Sequence, residues 1–269
     1  MRNIRIALIL ALVVTSGLFG WMQIRKYISG ENEGPSLTCS DSVMEVSVFQ
    51  DQSAFLSGVQ AHDDQDGDLT DQVMIAGVSK LISEDTAKVT YIVFDSDENM
   101  AQCERTIHYM DYQRPMIYLD EPMSYSSVSV TNLGRGLRAQ DSIDGDISDL
   151  IRVSTLNSTE ESDIFRVVAQ VTNSMGDNRR VELPVIIQND DVDQPVINLK
   201  QYIVYLEKGA DFSPKDYIRN VTAYRQTYSV ADVDVEGEVN TDQPGNYWVR
   251  YQFVRDGKIS KAILTVVVQ

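Results

Sequence analysis

Alternation of apolar and polar residues along this chain predicts β-strands rather than helices after residue 30. Apolar side chains recur at every second position in several runs, a period that is typical of a strand with one buried face. The clearest runs are Val43–Phe49, Lys88–Phe94, Phe165–Val171, Val181–Ile187 and Tyr247–Phe253. With no long amphipathic helix in this region, the pattern favours an all-β protein.

The run Lys88–Phe94 is apolar on both of its faces. Val89 and Tyr91 share one face, whereas Ile92 and Phe94 share the other. A strand with two apolar faces predicts a central position in its sheet.

Two local signals predict turns and sheet edges. Pro184 interrupts a closing strand, and proline is mostly confined to edge strands or bulges because it has no N–H to donate. Asp256–Gly257 separates two apolar runs and predicts a tight hairpin.

The chain repeats itself with a period of about 80 residues. The segment Ala61–Asp68 recurs as Ala139–Asp146, 78 residues later, and Pro35, Pro115 and Pro195 are spaced 80 residues apart. A fixed long period indicates tandem domains, and about 80 residues is the size of a small β-sandwich. We expect domain 1 at 35–113, domain 2 at 114–192 and domain 3 at 193–269; they are called repeats 1, 2 and 3 below.

The first residues differ from the rest. An apolar run, Ile6–Ile24, follows Arg2 and Arg5. Nineteen helical residues would span roughly 28 Å, close to a bilayer core. We therefore expect a single-pass membrane protein with a cytoplasmic N-terminus (1–5), a transmembrane signal-anchor (6–26), a stalk (27–34) and an extracellular C-terminal region. A cleaved signal peptide, giving a secreted protein, is the alternative.

The remainder of the chain is acidic. All 40 carboxylate residues follow residue 26, where 19 of the 23 basic residues also lie, so this part carries a formal charge of −21. Nucleic-acid partners are excluded on this ground, since phosphates require Lys and Arg patches.

The cysteines are Cys39 and Cys103, one near each end of repeat 1. In an oxidising compartment they could form one disulfide that closes this domain, and two separate thiols are the alternative. Their spacing excludes a Cys-x-x-Cys redox motif.

The repeated residues resemble the bacterial immunoglobulin-like repeat of Gram-positive surface proteins, which also occurs in an insecticidal crystal toxin. Repeat 1 carries the matching residues Ala61, Asp63, Asp66, Gly67, Asp68, Thr70, Val89, Tyr91, Asp95, Asn99, Ala101 and Arg105. Repeat 2 carries Ala139, Asp141, Asp144, Gly145, Asp146, Ser148 and Gly176. Repeat 3 keeps Gly245, Tyr247, Val249 and Tyr251 and has lost the acidic turn.

This resemblance implies three tandem immunoglobulin-like β-sandwiches in a bacterial cell-surface protein. It also implies adhesion, carbohydrate contact or the spacing of another module. Because the fold hosts unrelated functions, it does not identify a ligand.

Two acidic turns are candidate calcium sites. Their carboxylates are Asp63, Asp64, Asp66 and Asp68 in repeat 1 and Asp141, Asp144 and Asp146 in repeat 2. Ca²⁺ requires six to eight oxygen ligands, which such a cluster can provide. The alternative is a structural turn in which Asp accepts backbone N–H bonds and Gly adopts a positive φ. No other cofactor is expected.

Tyr247 and Trp248 are candidate ligand contacts, because exposed aromatic rings stack on sugars or anchor protein partners. Adjacent strand residues point to opposite faces, so one of these two rings faces away from the core. The alternative is that both rings are buried in the packing of two sheets.

The sequence favours a binding protein over an enzyme. The chain has two histidines and no nucleophile elbow, zinc-protease helix or phosphate-binding loop. We expect a non-catalytic surface protein that binds cell wall, glycan or an extracellular protein. A structural spacer or scaffold of an envelope complex is the alternative, and a glycan-active enzyme is a distant third.

Overall fold

The computed structural model describes residues 11–22, 24, 34–40, 42–125, 133–156, 164–187 and 194–269. The chain divides into two compact units, Met1–Asp111 and Tyr112–Gln269. The first unit contains repeat 1 except for its last two residues, and the second unit contains all of repeats 2 and 3.

Among the residues that the structure describes, seven strands lie in each repeat. Repeat 1 has β1 (Ser36–Thr38), β2 (Met44–Val46), β3 (Gln60–Asp63), β4 (Gly67–Asp68), β5 (Met74–Val78), β6 (Thr86–Phe94) and β7 (Met100–Tyr109). Repeat 2 has β8 (Met116–Leu119), β9 (Ser124–Tyr125), β10 (Leu137–Asp141), β11 (Gly145–Asp146), β12 (Arg152–Thr155), β13 (Ile164–Thr172) and β14 (Asn178–Ile187). Repeat 3 has β15 (Val196–Leu199), β16 (Ile203–Leu206), β17 (Ile218–Ala223), β18 (Gln226–Tyr228), β19 (Asp234–Glu236), β20 (Gly245–Arg255) and β21 (Lys258–Val268). Short 3₁₀ helices lie at Gln52–Leu56, Thr70–Gln72, Ser148–Leu150, Pro214–Tyr217 and Val230–Asp232.

The three repeats share one topology. The first, third and fourth strands of each repeat form a three-stranded sheet, and the second, seventh, sixth and fifth strands form a four-stranded sheet in that order. The second strand runs parallel to the seventh in every repeat, whereas the other pairs are antiparallel. This arrangement confirms the predicted all-β class with tandem immunoglobulin-like sandwiches. It also places β6 between β5 and β7, as its two apolar faces predicted.

In repeats 1 and 3, a buried tyrosine of the four-stranded sheet donates a hydrogen bond to a 3₁₀ helix of the same repeat. Tyr91 has no exposed surface, and its hydroxyl donates to the Phe55 carbonyl oxygen at 2.7 Å. Tyr251 occupies the equivalent position in repeat 3 and donates to the Pro214 carbonyl oxygen at 2.8 Å. A buried hydroxyl needs such a partner, because leaving it unpaired costs about 1–3 kcal/mol.

Repeats 2 and 3 bury their apolar side chains in one continuous core. This cluster runs from Ile117 in β8 to Val268 in β21 and includes the inward faces of all four sheets of the second unit. The two sandwiches therefore form one packed body.

Pro184 lies in β14, which is an interior strand of the order β12-β13-β14-β9. β14 is therefore not an edge strand, but β9 is so short that Pro184 itself has no paired strand on that side. The Ile186 N–H points to the β9 side, where it donates to the Met123 carbonyl oxygen. The backbone nitrogen of Pro184 points to the same side, but β9 pairs only with Ile186 and Ile187. The missing N–H of proline therefore removes no hydrogen bond of the sheet.

Residues 11–22 are helical, with large apolar side chains exposed. Among the described residues, no helix has both the length and the apolar character to cross a membrane. The prediction of a single-pass membrane protein with a transmembrane segment at 6–26 is thereby contradicted. The predicted N-terminus at 1–5 and residues 27–33 of the predicted stalk lie outside the described residues.

Candidate functional site

The carboxylates in the acidic turn of repeat 1 accept hydrogen bonds from backbone N–H groups. The buried Asp63 carboxylate accepts the N–H groups of Gln65 and Asp66 at 2.8 and 3.0 Å. Asp66 accepts the Ser96 N–H at 2.7 Å, and Asp68 accepts the Thr70 N–H at 2.9 Å. The bonds from Thr70 hold the pKa of Asp68 below its usual value. Asp64 is exposed.

Repeat 2 builds the same turn 78 residues later. Asp141 accepts the N–H groups of Ile143 and Asp144, both at 2.9 Å. Asp144 accepts the Ser174 N–H at 2.6 Å, and Asp146 accepts the Ser148 N–H at 3.0 Å. The central glycines, Gly67 and Gly145, have φ angles of 77° and 73°. Such angles favour glycine, because a Cβ is strained there.

These bonds explain the repeated motif as a structural turn. Within the described parts of the chain, no group of three or more His, Cys, Asp or Glu residues is placed to hold a metal ion. Calcium binding at the two turns stays a prediction.

Repeat 3 makes its corresponding connection without aspartate or glycine. Ala223 pairs with Gln226, so the loop consists of Tyr224 and Arg225. Their φ angles are 48° and 64°, the left-handed values of a type I′ hairpin. The motif was lost from the sequence while the hairpin remained.

Cys39 and Cys103 are joined by a disulfide, with their Cα atoms 6.1 Å apart. Cys39 follows β1 of the three-stranded sheet, and Cys103 lies in β7 of the four-stranded sheet. The bond therefore fastens the segment that crosses between the two sheets of repeat 1.

A polar network around Asp177 supports the start of repeat 2, and sequence analysis missed it. The Arg114 guanidinium donates two bonds to the Asp177 carboxylate at 2.8 and 3.1 Å, and the Tyr112 hydroxyl donates a third at 2.9 Å. Although burial opposes ionisation, the bonds from Arg114 and Tyr112 hold the pKa of Asp177 below its usual value. The sequence does contain a signal for this network, because Asp and Asn exchange places between the two repeats. Asp95 and Asn99 of repeat 1 correspond to Asn173 and Asp177 of repeat 2.

Tyrosines join repeat 3 to repeat 2. The Tyr205 hydroxyl accepts the Ile117 N–H at 2.8 Å and donates to the Ile117 carbonyl oxygen at 3.0 Å. The buried Arg179 guanidinium lies 5.3 Å from the centroid of the Tyr205 ring. Burial raises the pKa of Tyr205 to about 12. Tyr202, 3% exposed, donates its N–H to the Leu119 carbonyl oxygen.

The two aromatic residues predicted to contact a ligand both have partners within the second unit. The Tyr247 hydroxyl donates to the Gln243 carbonyl oxygen, and its ring packs on the shared core. Trp248 faces the other way, and its indole N–H donates to the Glu182 carbonyl oxygen of repeat 2 at 3.2 Å. The Arg166 guanidinium lies 5.5 Å from the centroid of the Trp248 ring. Ligand contact by either ring stays a prediction.

The junction of repeats 2 and 3 is closely packed. A cavity of about 10 Å³ lies there, which is at most the size of one water site. In repeat 1, a shallow cleft of about 370 Å³ lies on the three-stranded sheet. Its lining is polar and comprises Ser36, Thr38, Gln60, Ala61, His62, Asp68 and Thr70.

The chain is similar in sequence to one distant relative among curated proteins. No family model matches the chain. An uncharacterised 81.3 kDa protein of Acholeplasma phage L2 is 27% identical over an alignment of 223 residues that covers 74% of this chain and 30% of the phage protein. The chain thus spans less than a third of the length of that relative.

Solved structures to which the chain is similar include CBM51-2 in complex with GlcNAc and the INT domains from Clostridium perfringens ZmpB. That match has 13% identity and a TM-score of 0.24, and covers 86% of this chain and 41% of the other. Drosophila N-cadherin EC1-4 matches with 11% identity and a TM-score of 0.23, covering 88% and 76% of the two chains. Human CDH23 EC21-23 matches with 13% identity and a TM-score of 0.22, covering 87% and 100%.

Proposed function

We propose that this protein is a non-catalytic binding protein whose repeat 1 recognises a cationic partner. The observation that carries the proposal is an uneven distribution of charge among three repeats of one fold. Repeat 1 has 15 acidic and 3 basic residues, a formal charge of −12. Repeat 2 has 13 acidic and 7 basic residues, a formal charge of −6, and repeat 3 has 10 acidic and 9 basic residues, a formal charge of −1. Solubility alone does not require this concentration in one repeat.

The negative electrostatic field of a repeat with this charge attracts cationic surfaces and speeds their association. The bonds from Thr70 hold the pKa of Asp68 below its usual value, so this carboxylate contributes negative charge while it holds the turn. The disulfide of this repeat supports a protein that folds outside a reducing cytosol. Kinship with bacterial immunoglobulin-like repeats is part of the proposal and agrees with a role in binding.

The test is chemical crosslinking of the full chain to envelope fractions of its source organism. We expect saturable capture of one partner that weakens strongly when ionic strength is raised from about 0.15 M to about 1 M, because salt screens exposed charges. The variant Asp71→Asn/Glu98→Gln should capture less, and Asp149→Asn/Glu121→Gln in repeat 2 is the matched control. Failure of the wild-type chain to capture a saturable partner, or capture that is insensitive to salt, would overturn the proposal.

A rigid scaffold is the second candidate, and the shared core of repeats 2 and 3 favours it. Two sandwiches that bury one continuous cluster keep a fixed geometry. A chain that captures no partner of its own but is required for assembly of an envelope complex would support this alternative.

A further inference from the structure

We propose that the outer face of the four-stranded sheet in repeat 1 docks a protein surface in which apolar side chains are ringed by Lys and Arg. This inference rests on the proposed function and names the site and the chemistry of the partner.

The site is an apolar patch, defined here as Met74, Ile92, Phe94 and Met100. Met74 pairs with Ile92 across β5 and β6, and Phe94 pairs with Met100 across β6 and β7. Residues directly opposite one another, or two apart along a strand, point to the same face, so these four side chains are neighbours. Met74, Phe94 and Met100 are 50%, 40% and 54% exposed. Contiguous exposed apolar surface of this kind marks interaction sites.

The equivalent positions in repeat 2 are polar. Arg152 pairs with Gln170 there, and Thr172 pairs with Asn178. The same fold therefore does not need apolar side chains at these places.

Repeat 3 carries a smaller version of the patch. Val254 pairs with Ile259, whereas Asp234 and Gln252 occupy the other two positions. Repeat 1 is thus distinguished by a complete four-residue patch.

The charges around the patch determine which partner fits. Asp71 lies in the 3₁₀ helix before β5, and Glu98 lies in the turn that connects Phe94 to Met100; both are exposed. Lys88, on the same sheet face, is paired with Glu104 at 3.1 Å. An apolar centre with an acidic rim is complementary to an apolar centre with a basic rim.

A second copy of this chain is a poor occupant. Two apposed patches would bring two repeats of charge −12 together, and like charges across an interface oppose association. The patch is therefore assigned to a different, basic protein surface.

The test measures binding of the full chain to synthetic peptides by fluorescence anisotropy. The probe is an amphipathic helical peptide of Leu and Lys. The comparison peptides are a scrambled sequence of the same composition and an amphipathic peptide of Leu and Glu. The test variant is Phe94→Thr/Met100→Asn, which installs the residues of repeat 2, and the matched control is Val254→Thr/Ile259→Asn in repeat 3.

We expect the Leu–Lys peptide to bind the wild-type chain and the repeat 3 control alike. The test variant should bind it at least about tenfold more weakly, since an exposed Phe and Met are the apolar contacts that are lost. The scrambled and Leu–Glu peptides should bind much more weakly than the probe. An unchanged melting temperature of the test variant would show that the fold is retained, because the substituted side chains are already exposed.

Equal binding of the probe by wild type and test variant would overturn the inference, and so would equal binding of the probe and the scrambled peptide. Patch-dependent self-association in sedimentation would also overturn it, because the occupant would then be a second copy. If the test variant still captures the envelope partner, the patch is not the docking site and the proposed function stands. If the wild type captures none, the proposed function fails.

Discussion

Tyr205 combines three interactions between repeats 2 and 3 in one side chain. Its hydroxyl satisfies both backbone groups of Ile117, and its ring lies against the Arg179 guanidinium. An aromatic ring with a hydroxyl at its rim suits this junction, because the ring packs while the hydroxyl reaches a polar backbone.

The substitution Tyr205→Phe should destabilise the second unit by about 1–3 kcal/mol, because it leaves a half-buried N–H and C=O without partners. Urea unfolding, monitored on the second unit, measures the loss. Tyr224→Phe is the matched control, since Tyr224 is 43% exposed, and it should be nearly neutral. Equal effects of the two variants would contradict the role assigned to Tyr205.

His108 gives repeat 1 a pH-dependent contact. Its Nδ1 lies 2.7 Å from the Glu45 carboxylate, and its Nε2 lies 3.0 Å from the Asp85 carboxylate. Hydrogen bonding to Glu45, and then to Asp85, raises the pKa of His108 above its ordinary value. A raised folded-state pKa stabilises the fold below the unfolded value of about 6.5, and that stabilisation is lost as pH rises through the folded value.

The variant His108→Gln should therefore be less stable than wild type near pH 5.5, and the gap should shrink as pH rises towards about 9. Thermal melting of repeat 1 across this range measures the gap. The same substitution in a Glu45→Gln/Asp85→Asn background should show no such trend. A gap that grows with pH would refute the assignment.

At the scale of elements, a close approach between neighbouring strands constrains Gly237. This glycine follows β19 and has a φ of 113°. A Cβ at this position would clash with the Trp248 carbonyl oxygen of β20. Both the backbone angle and the space therefore require glycine here.

The substitution Gly237→Ala should destabilise the second unit by about 2 kcal/mol or more, through backbone strain and the clash. Gly245→Ala is the control, because its Cβ would meet atoms of Tyr247 at 3.5 Å or more, which is ordinary contact. Chemical unfolding of both variants compares them. A neutral Gly237→Ala would show that β19 shifts without cost.

The acidic turns lead to a prediction about calcium. Asp63, Asp66 and their counterparts Asp141 and Asp144 already accept backbone N–H groups. If these turns are structural only, millimolar Ca²⁺ leaves the melting temperatures of the full chain unchanged relative to a chelator. A rise in either transition would instead demonstrate the calcium site proposed from the sequence, since a ligand that binds the folded state raises its stability.

At the scale of the whole molecule, the two compact units predict two unfolding transitions. Repeats 2 and 3 share one core, so they should melt together, whereas repeat 1 has its own core and its own disulfide. Reduction should lower the stability of the first unit by about 2–5 kcal/mol and leave the second unchanged, because the bond constrains only the chain of repeat 1.

Calorimetry with and without reductant makes this comparison. The variant Cys39→Ser/Cys103→Ser should show the destabilised first transition already and be insensitive to reductant. Three separate transitions, or equal shifts of both, would contradict the division into these units.

Local signals determined much of the fold. The 78-residue period, the alternation of apolar positions and the Asp256–Gly257 turn predicted tandem sandwiches, and Arg255 and Lys258 indeed close that hairpin. These features are predictable because they depend on neighbours along the chain: a strand shows its period in its own residues, and a tight turn needs particular φ angles at one or two positions.

The contacts between elements were decided by tertiary structure. Alternation showed that Trp248 and Tyr247 point to opposite faces, but not that repeat 2 covers Trp248. Pro184 suggested an edge, and its true position depends on the length of a different strand, β9. Periodicity states which face of a strand is apolar, whereas the neighbour that covers that face is brought there by distant parts of the chain. For the same reason, the sequence marked Ile92 and Phe94 as apolar, and only the fold assembled them with Met74 and Met100 into an exposed surface.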